Sequence, residues 1–234
     1  MKVVPDFQND KIAFISVDIQ KVYDVEIMGQ EGASAGWGAW IFKEAGRQAT
    51  KVLNACREKG YPIIHLAYVV DDFTAHPLEE RGKNGALLYS VKGTVGAEII
   101  DSMKPLPGEL VIEKSRDSGF YETNLDLVLR NLGVKHLIMV GGFSDACFLT
   151  TGYDAWSRNY TVSIVKDAVT AGSDGAHKAA VLTMANWMWG TSVFTADEMV
   201  KAVKGQPYSA WFWERSHAFP YTTKNIDELY EQLK

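Results

Sequence analysis

The sequence predicts an α/β protein built on an open, mostly parallel six-stranded sheet with helices on both faces. Three observations point there. Short, nearly continuous apolar runs recur along the 234 residues, as strands buried on both faces require. Between them lie longer stretches with apolar residues at three- and four-residue spacing, as covering helices have. No internal repeat and no linker rich in Pro, Gly or Ser divides the chain, so strand–helix–strand units with right-handed crossovers account for the pattern.

The strands are expected at 12–17 (IAFISV), 62–70 (PIIHLAYVV), 110–112 (LVI), 136–140 (HLIMV), 161–165 (TVSIV) and 191–194 (TSVF). Helices are expected at about 43–59, 121–132, 147–158, 176–188 and 196–204. In the second of these Leu125, Val128, Leu129 and Leu132 make one apolar stripe, and Gly133 is placed to end it in the left-handed cap conformation. Cys56, near the end of the first helix, reads as ordinary helix packing. Three stretches fall outside the repeating unit: the Gly/Ala/aromatic loop within 22–42, the long connection 71–109, which should hold a short helix, and the aromatic segment 205–221. Residues 1–204 read as a single domain. Residues 205–234 read as an extension packed on that domain or on a neighbouring subunit.

Composition narrows the function. With 47% hydrophobic residues the chain can bury a sizeable core. Its formal charge of −5, from 24 basic and 29 acidic residues without a single-sign block, offers no basic stripe for nucleic acid. Two cysteines, a polar N-terminus (MKVVPDFQND) and no apolar run near the ~20 residues that span a bilayer point to a cytoplasmic protein without membrane association. The segment after the first strand, IQKVYDVEIMGQEG, lacks the dinucleotide fingerprint, and no cofactor is expected. His65, His136 and His177 read as structural; His76, on a loop, either reaches the pocket or faces water.

Ligands in open α/β sheets bind beyond the carboxyl ends of the strands. Reactive residues that follow strands are few: Asp18 after IAFISV, Lys114 after LVI, and Cys147 in GGFSDACF, at the start of a helix. A thiol at a helix N-terminus gains thiolate character from unpaired N–H groups and the helix dipole. Those amides, of Ala146 and Cys147, can also stabilise an oxyanion. Asp18 can move the thiol proton, and Lys114 can hold Asp18 ionised. The alternative for Cys147 is a buried small hydrophobe.

The segments AFISVDIQ (13–20) and VIEKSRDSGFYETNLDLVLRNLGVKHLIMVGGFSDACFLTTGYDAWSRNYTVSIVKDAVTA (111–171) resemble the isochorismatase-like cysteine hydrolases, whose members include nicotinamidases, N-carbamoylsarcosine amidase, biuret hydrolase and ureidoacrylate amidohydrolase. The likeness covers most of residues 11–200. It implies the Rossmann-like fold of that superfamily, a catalytic triad at Asp18, Lys114 and Cys147, and a cis peptide at Gly142–Phe143. Gly142 departs from the commoner β-branched residue and Ser144-Asp145 from the commoner threonine and polar residue, changes expected at the pocket wall. The metal-binding Asp-x-His of some nicotinamidases has no match in Asp71, Asp72 and His76, so no metal is expected.

The resemblance implies an amidohydrolase that cleaves the C–N bond of a small ureido or N-carbamoyl compound through a thioester-type intermediate. The alternatives are a metal-independent amidase of a small aromatic or carboxylated amide and a catalytically silent binding protein of the same fold. Substrate contacts are expected from Gln20, Tyr23, Trp37, Trp40, Arg116 and Phe120, with Arg116 suited to a carboxylate. The aromatic tail, and the habit of related proteins, point to a homodimer or homotetramer.

Overall fold

The run IAFISV forms β1 (Ile12–Val17), buried at every position. Successive side chains point to opposite faces of a strand, so Ala13, Ile15 and Val17 feed one core and Ile12 and Phe14 the other. The computed structural model describes residues 4–23 and 39–233, with side chains from residue 42 onward in the second stretch. Within them β1 is joined by β2 (Ile63–Tyr68), β3 (Leu110–Lys114), β4 (His136–Gly141), β5 (Thr161–Val169), β6 (Ser192–Phe194) and β7 (Trp211–Phe212). The sheet order is β3-β2-β1-β4-β5-β6-β7. All neighbours are parallel except β6 and β7.

The described helices are α1 (Ala39–Lys59), α2 (Leu125–Asn131), α3 (Cys147–Ser157), α4 (Asp174–Trp187), α5 (Ala196–Val203) and α6 (Ile226–Glu231). One core joins the sheet to α1 and α5 through residues such as Val52, Leu53, Met199 and Val203. The other joins it to α2, α3, α4 and α6 through Leu125, Phe148, Val181 and Tyr230. This is the two-faced open sheet that the apolar runs require. Cys56 is fully buried in the first core, as expected for a packing residue.

Three details differ from the sequence reading. The sheet has a seventh strand, because two residues of the aromatic segment pair antiparallel with β6, Ser192 opposite Phe212; two residues are too few to show a period. Helix 121–132 shortens to α2, since Glu122 has a φ of 52°. Leu132 is consequently 44% exposed, while Leu125 and Leu129 carry the buried stripe. Gly133 takes a φ of 68° and ends the helix as anticipated. The short helix expected in the connection 71–109 takes the form of two 3₁₀ turns, Val95–Ala97 and Asp101–Met103.

The chain runs β1 to β2 to β3 toward one edge, then returns to β4 and proceeds through β5 and β6 toward the other. That reversal leaves a crevice beyond the carboxyl ends of β1 and β4, the place where such sheets bind ligands. The aromatic tail packs against its own chain: Tyr208 meets Phe7 and Phe194, and Trp211 meets Phe219 at 5.4 Å. Among the described residues no helix is long and apolar enough to cross a membrane.

Candidate active site

Asp18 directly follows β1 with a φ of 51°, a left-handed conformation that Asp tolerates better than most residues. Its carboxylate is buried. Lys114, the last residue of β3, pairs in register with Tyr68 of β2, and its side chain crosses that strand to place Nζ 2.8 Å from Asp18 Oδ2. The same ammonium donates to the carbonyl of Arg116 at 3.0 Å. Cys147 opens α3; its thiol donates to Asp117 Oδ1 at 3.7 Å, and the charges of Asp18 and Lys114 act on it. The three residues singled out by strand position thus converge, although 128 residues lie between Asp18 and Cys147.

Protonation follows from burial and these neighbours. Burial pushes the Asp18 carboxyl above the ordinary carboxylate range, against the pull of Lys114. Burial works to lower Lys114, but Asp18 and Cys147 outweigh it and keep the ammonium above its usual value. Burial, reinforced by Asp18, pushes the Cys147 thiol far up while Lys114 opposes. The resting sulfur is therefore held toward the thiol form, with burial and the Asp18 charge both favouring the proton. This corrects the expectation of a thiolate favoured by the helix terminus: desolvation and a carboxylate override it.

The turn that presents Cys147 depends on two glycines. Gly141 has a φ of 119°, and a Cβ there would sit 2.0 Å from the Val17 carbonyl oxygen, so only glycine lets β4 approach β1 so closely. A Cβ on Gly142 would meet Thr170 Cγ2 at 2.5 Å. Gly142 therefore faces Thr170 and not the pocket wall. The Gly142–Phe143 peptide is cis, as the resemblance implied. The carbonyl of Phe143 accepts the N–H groups of both Ala146 and Phe148, each at 3.0 Å. Ala146 is thereby engaged, which corrects its expected role as a free oxyanion donor. The Cys147 N–H, between them, has no acceptor among the described residues.

Cys147 opens onto a cleft of about 950 Å³. Tyr23 and Arg116 line it, as expected. One nitrogen of Arg116 donates to the carbonyls of Thr74 and Ser115, and among the described residues the guanidinium forms no ion pair. Gln20 is not a ligand contact. It is fully buried, and its amide donates to the carbonyls of Tyr68 and Ala97 and accepts from the Tyr68 N–H, at 2.9–3.0 Å. Phe120 is likewise corrected: it is buried against Tyr160, beneath the guanidinium of Arg158. Trp37 lies outside the described residues, as does the side chain of Trp40.

Several cleft residues escaped the sequence reading. Asp117 Oδ1 lies 3.7 Å from Cys147 Sγ, on the cleft side. Tyr68 donates to Glu79 at 2.8 Å and Tyr89 to Glu80 at 3.1 Å, so the end of β2 and the connection 71–109 together supply a wall of tyrosines and carboxylates. His76, for which the sequence left pocket and solvent both open, lines the cleft, with Nδ1 accepting from the Leu78 N–H. Asp71 and Asp72 are engaged locally, with Thr74 and with Arg81. The spacing of Asp117 from Lys114 was a usable signal; the loop residues gave none, because nothing in their pattern fixes how the loop folds back.

Residues 3–198 match the isochorismatase domain family. Among curated proteins the chain is similar to ureidoacrylate amidohydrolase RutB of Variovorax paradoxus (strain S110), 32% identical over 145 residues, or 61% of this chain and 54% of the relative. The chain spans about half the length of the curated relatives it matches. Among solved structures it is similar to N-carbamoylsarcosine amidase from Thermoplasma acidophilum, with 31% identity, a TM-score of 0.65 and coverage of 80% of this chain and 98% of that one. It also resembles an isochorismatase family protein from Desulfovibrio vulgaris subsp. vulgaris str. Hildenborough, with 25% identity, a TM-score of 0.72 and coverage of 84% and 100%.

Proposed function

The chain belongs to the isochorismatase family, and on that premise we propose that it is a cysteine-dependent amidohydrolase of small ureido or N-carbamoyl compounds. The observation that carries this reading is the meeting of Cys147, which lines the cleft, with the buried Asp18–Lys114 pair. The activities named for two similar proteins, ureidoacrylate amidohydrolase and N-carbamoylsarcosine amidase, support the substrate class.

The cycle uses this chain's own groups. As sulfur attacks the substrate carbonyl carbon, Asp18 takes the thiol proton and a C–S bond forms. The carbonyl oxygen gains the negative charge and is met by the Cys147 N–H. Lys114 keeps Asp18 ionised beforehand and offsets the negative charge of the site. On collapse the C–N bond breaks, and Asp18 returns its proton to the departing nitrogen. Water then attacks the thioester with Asp18 again as base, releasing a carbamate or carboxylate and restoring the thiol.

Arg116, facing the cleft without a carboxylate partner among the described residues, supports a substrate that carries an acidic group. The same residue keeps a carboxylated amide as the second reading. Assembly into dimers or tetramers belongs to the proposal and draws on the exposed indoles of Trp187 and Trp189; sedimentation would show a single monomeric species if it is wrong. Ammonia release across N-carbamoyl amino acids, ureido acids, biuret and carboxylated amides tests the activity. Replacing Cys147 by Ser should lower turnover of the best substrate roughly 10⁴-fold or more. A variant as active as the parent removes the covalent mechanism.

A further inference from the structure

Outside the cleft, a histidine joins the turn that presents Cys147 to the C-terminal segment. Ser144 is fully buried; its N–H donates to the Thr170 carbonyl at 2.7 Å, and its hydroxyl meets His177 Nδ1 at 3.2 Å. The other ring nitrogen of His177 lies 2.8 Å from the Tyr230 hydroxyl. Tyr230 is itself anchored, with the Lys166 ammonium 4.4 Å from its ring centroid and donating to its carbonyl at 3.4 Å. Burial holds His177 down at about 4, so near neutrality the ring is uncharged. A neutral imidazole has one donor and one acceptor, suited to join two hydroxyls.

Neither Ser144, His177 nor Tyr230 lines the cleft, so none of them touches substrate. Their leverage is mechanical. Ser144 directly follows Phe143, whose carbonyl holds the amides on either side of the Cys147 N–H. A tilt of the Phe143–Ser144 peptide therefore moves both the nucleophile and its oxyanion donor. Displacements of about 1 Å at a reacting centre can cost roughly 100-fold in rate. Tyr230 also lies beyond residue 198, where the match to the isochorismatase domain ends.

We propose that the C-terminal extension, acting through Tyr230 and His177, is a positioning device for the nucleophile turn. The chain's reactivity then depends on a segment outside the shared family domain. This rests on Cys147 being the nucleophile, and the test separates the two ideas.

The test compares iodoacetamide labelling of Cys147 in the full chain and in the Tyr230→Phe, His177→Ala and His177→Gln variants, alongside kcat and KM for the best substrate. Buried Cys56 is the internal control: measurements are taken where it stays unlabelled, so global opening is not what is read. The Tyr230→Phe and His177→Ala variants should shift the Cys147 labelling rate by roughly threefold or more and lower kcat with KM within about twofold, and His177→Gln should recover part of the change. Wild-type labelling and kcat in both variants, even with a lowered melting temperature, would overturn the positioning role. Full activity in a Cys147→Ser variant would instead overturn the nucleophile assignment on which it stands.

Discussion

Ser16, His65 and Glu109 form a hydrogen-bonded series across the sheet. Ser16 Oγ lies 2.8 Å from His65 Nδ1, and His65 Nε2 lies 3.2 Å from Glu109 Oε2. Hydroxyl, imidazole and carboxylate stand in the order of a nucleophile, its base and the acid that orients the base. Cys147, Asp18 and Lys114 make a less familiar set. Yet Ser16 and His65 are fully buried in mid-strand, while Cys147 opens into the cleft. Ser16 and Asp18 are two residues apart on one strand and its end. The difference teaches that access at the end of a strand, and not the identity of the bonded groups, separates a reactive site from a structural one.

The two sets also differ in how their carboxyls are tuned. Burial pushes Asp18 up, toward a group that accepts and returns a proton. Burial pushes Glu109 up as well, but Arg57, the Leu106 N–H and His65 outweigh it and hold its carboxyl at about 2. Glu109 is thus a fixed acceptor. It orders His65, which burial keeps uncharged, and so ties β1 and β2 to the start of β3.

The comparison can be broken most easily at Asp18. Asp18→Asn should lower kcat/KM by about 10²–10⁴-fold, whereas Ser16→Ala should leave kcat/KM within about twofold; equal losses in steady-state kinetics would erase the distinction. Stability should show the reverse weighting. Ser16→Ala removes the partner of a buried imidazole nitrogen and should cost about 1–3 kcal/mol in urea unfolding, and no loss would mean that the sealed series contributes nothing. A smaller effect is expected at the cleft wall, where Arg116→Ala should raise KM for an acidic substrate about tenfold and leave a neutral analogue unaffected.

Acidification sharpens the contrast in a single titration. Asp18 must be ionised to act, and its carboxyl is raised, so activity should fall with a midpoint above the ordinary value of 3.8. Glu109 is lowered from 4.5 to about 2 in the folded protein. Its contribution to stability is complete above about 4.5 and is lost as pH falls toward about 2. Activity should therefore vanish before this part of the stability does. Loss of both in one step, in parallel assays of turnover and circular dichroism, would contradict the opposite tuning of the two carboxyls.

The sheet and the convergence of Asp18, Lys114 and Cys147 were legible because both follow from local pattern plus one topological rule. Apolar runs such as IAFISV place the strands, and residues just past them meet at one edge. Gln20 shows where that reasoning ends. It follows the same strand, but its amide satisfies the backbone of Tyr68 and Ala97, a fit that depends on a chain segment 77 residues away. Phe120 follows Lys114 closely, yet the turn sends its ring into the core. His177 read as an ordinary helix-start residue, and its partners Ser144 and Tyr230 come from distant segments. β7 needed only two residues to pair, and no periodicity can announce that.

Quenched-flow mass spectrometry of the Cys147 peptide during turnover of an N-carbamoyl or ureido substrate tests the central claim most directly. The expected result is an acyl or carbamoyl mass on Cys147 that forms at least as fast as the first turnover and is absent in a Cys147→Ala variant. Product formation at the full rate with an unmodified Cys147 at every time point would contradict it.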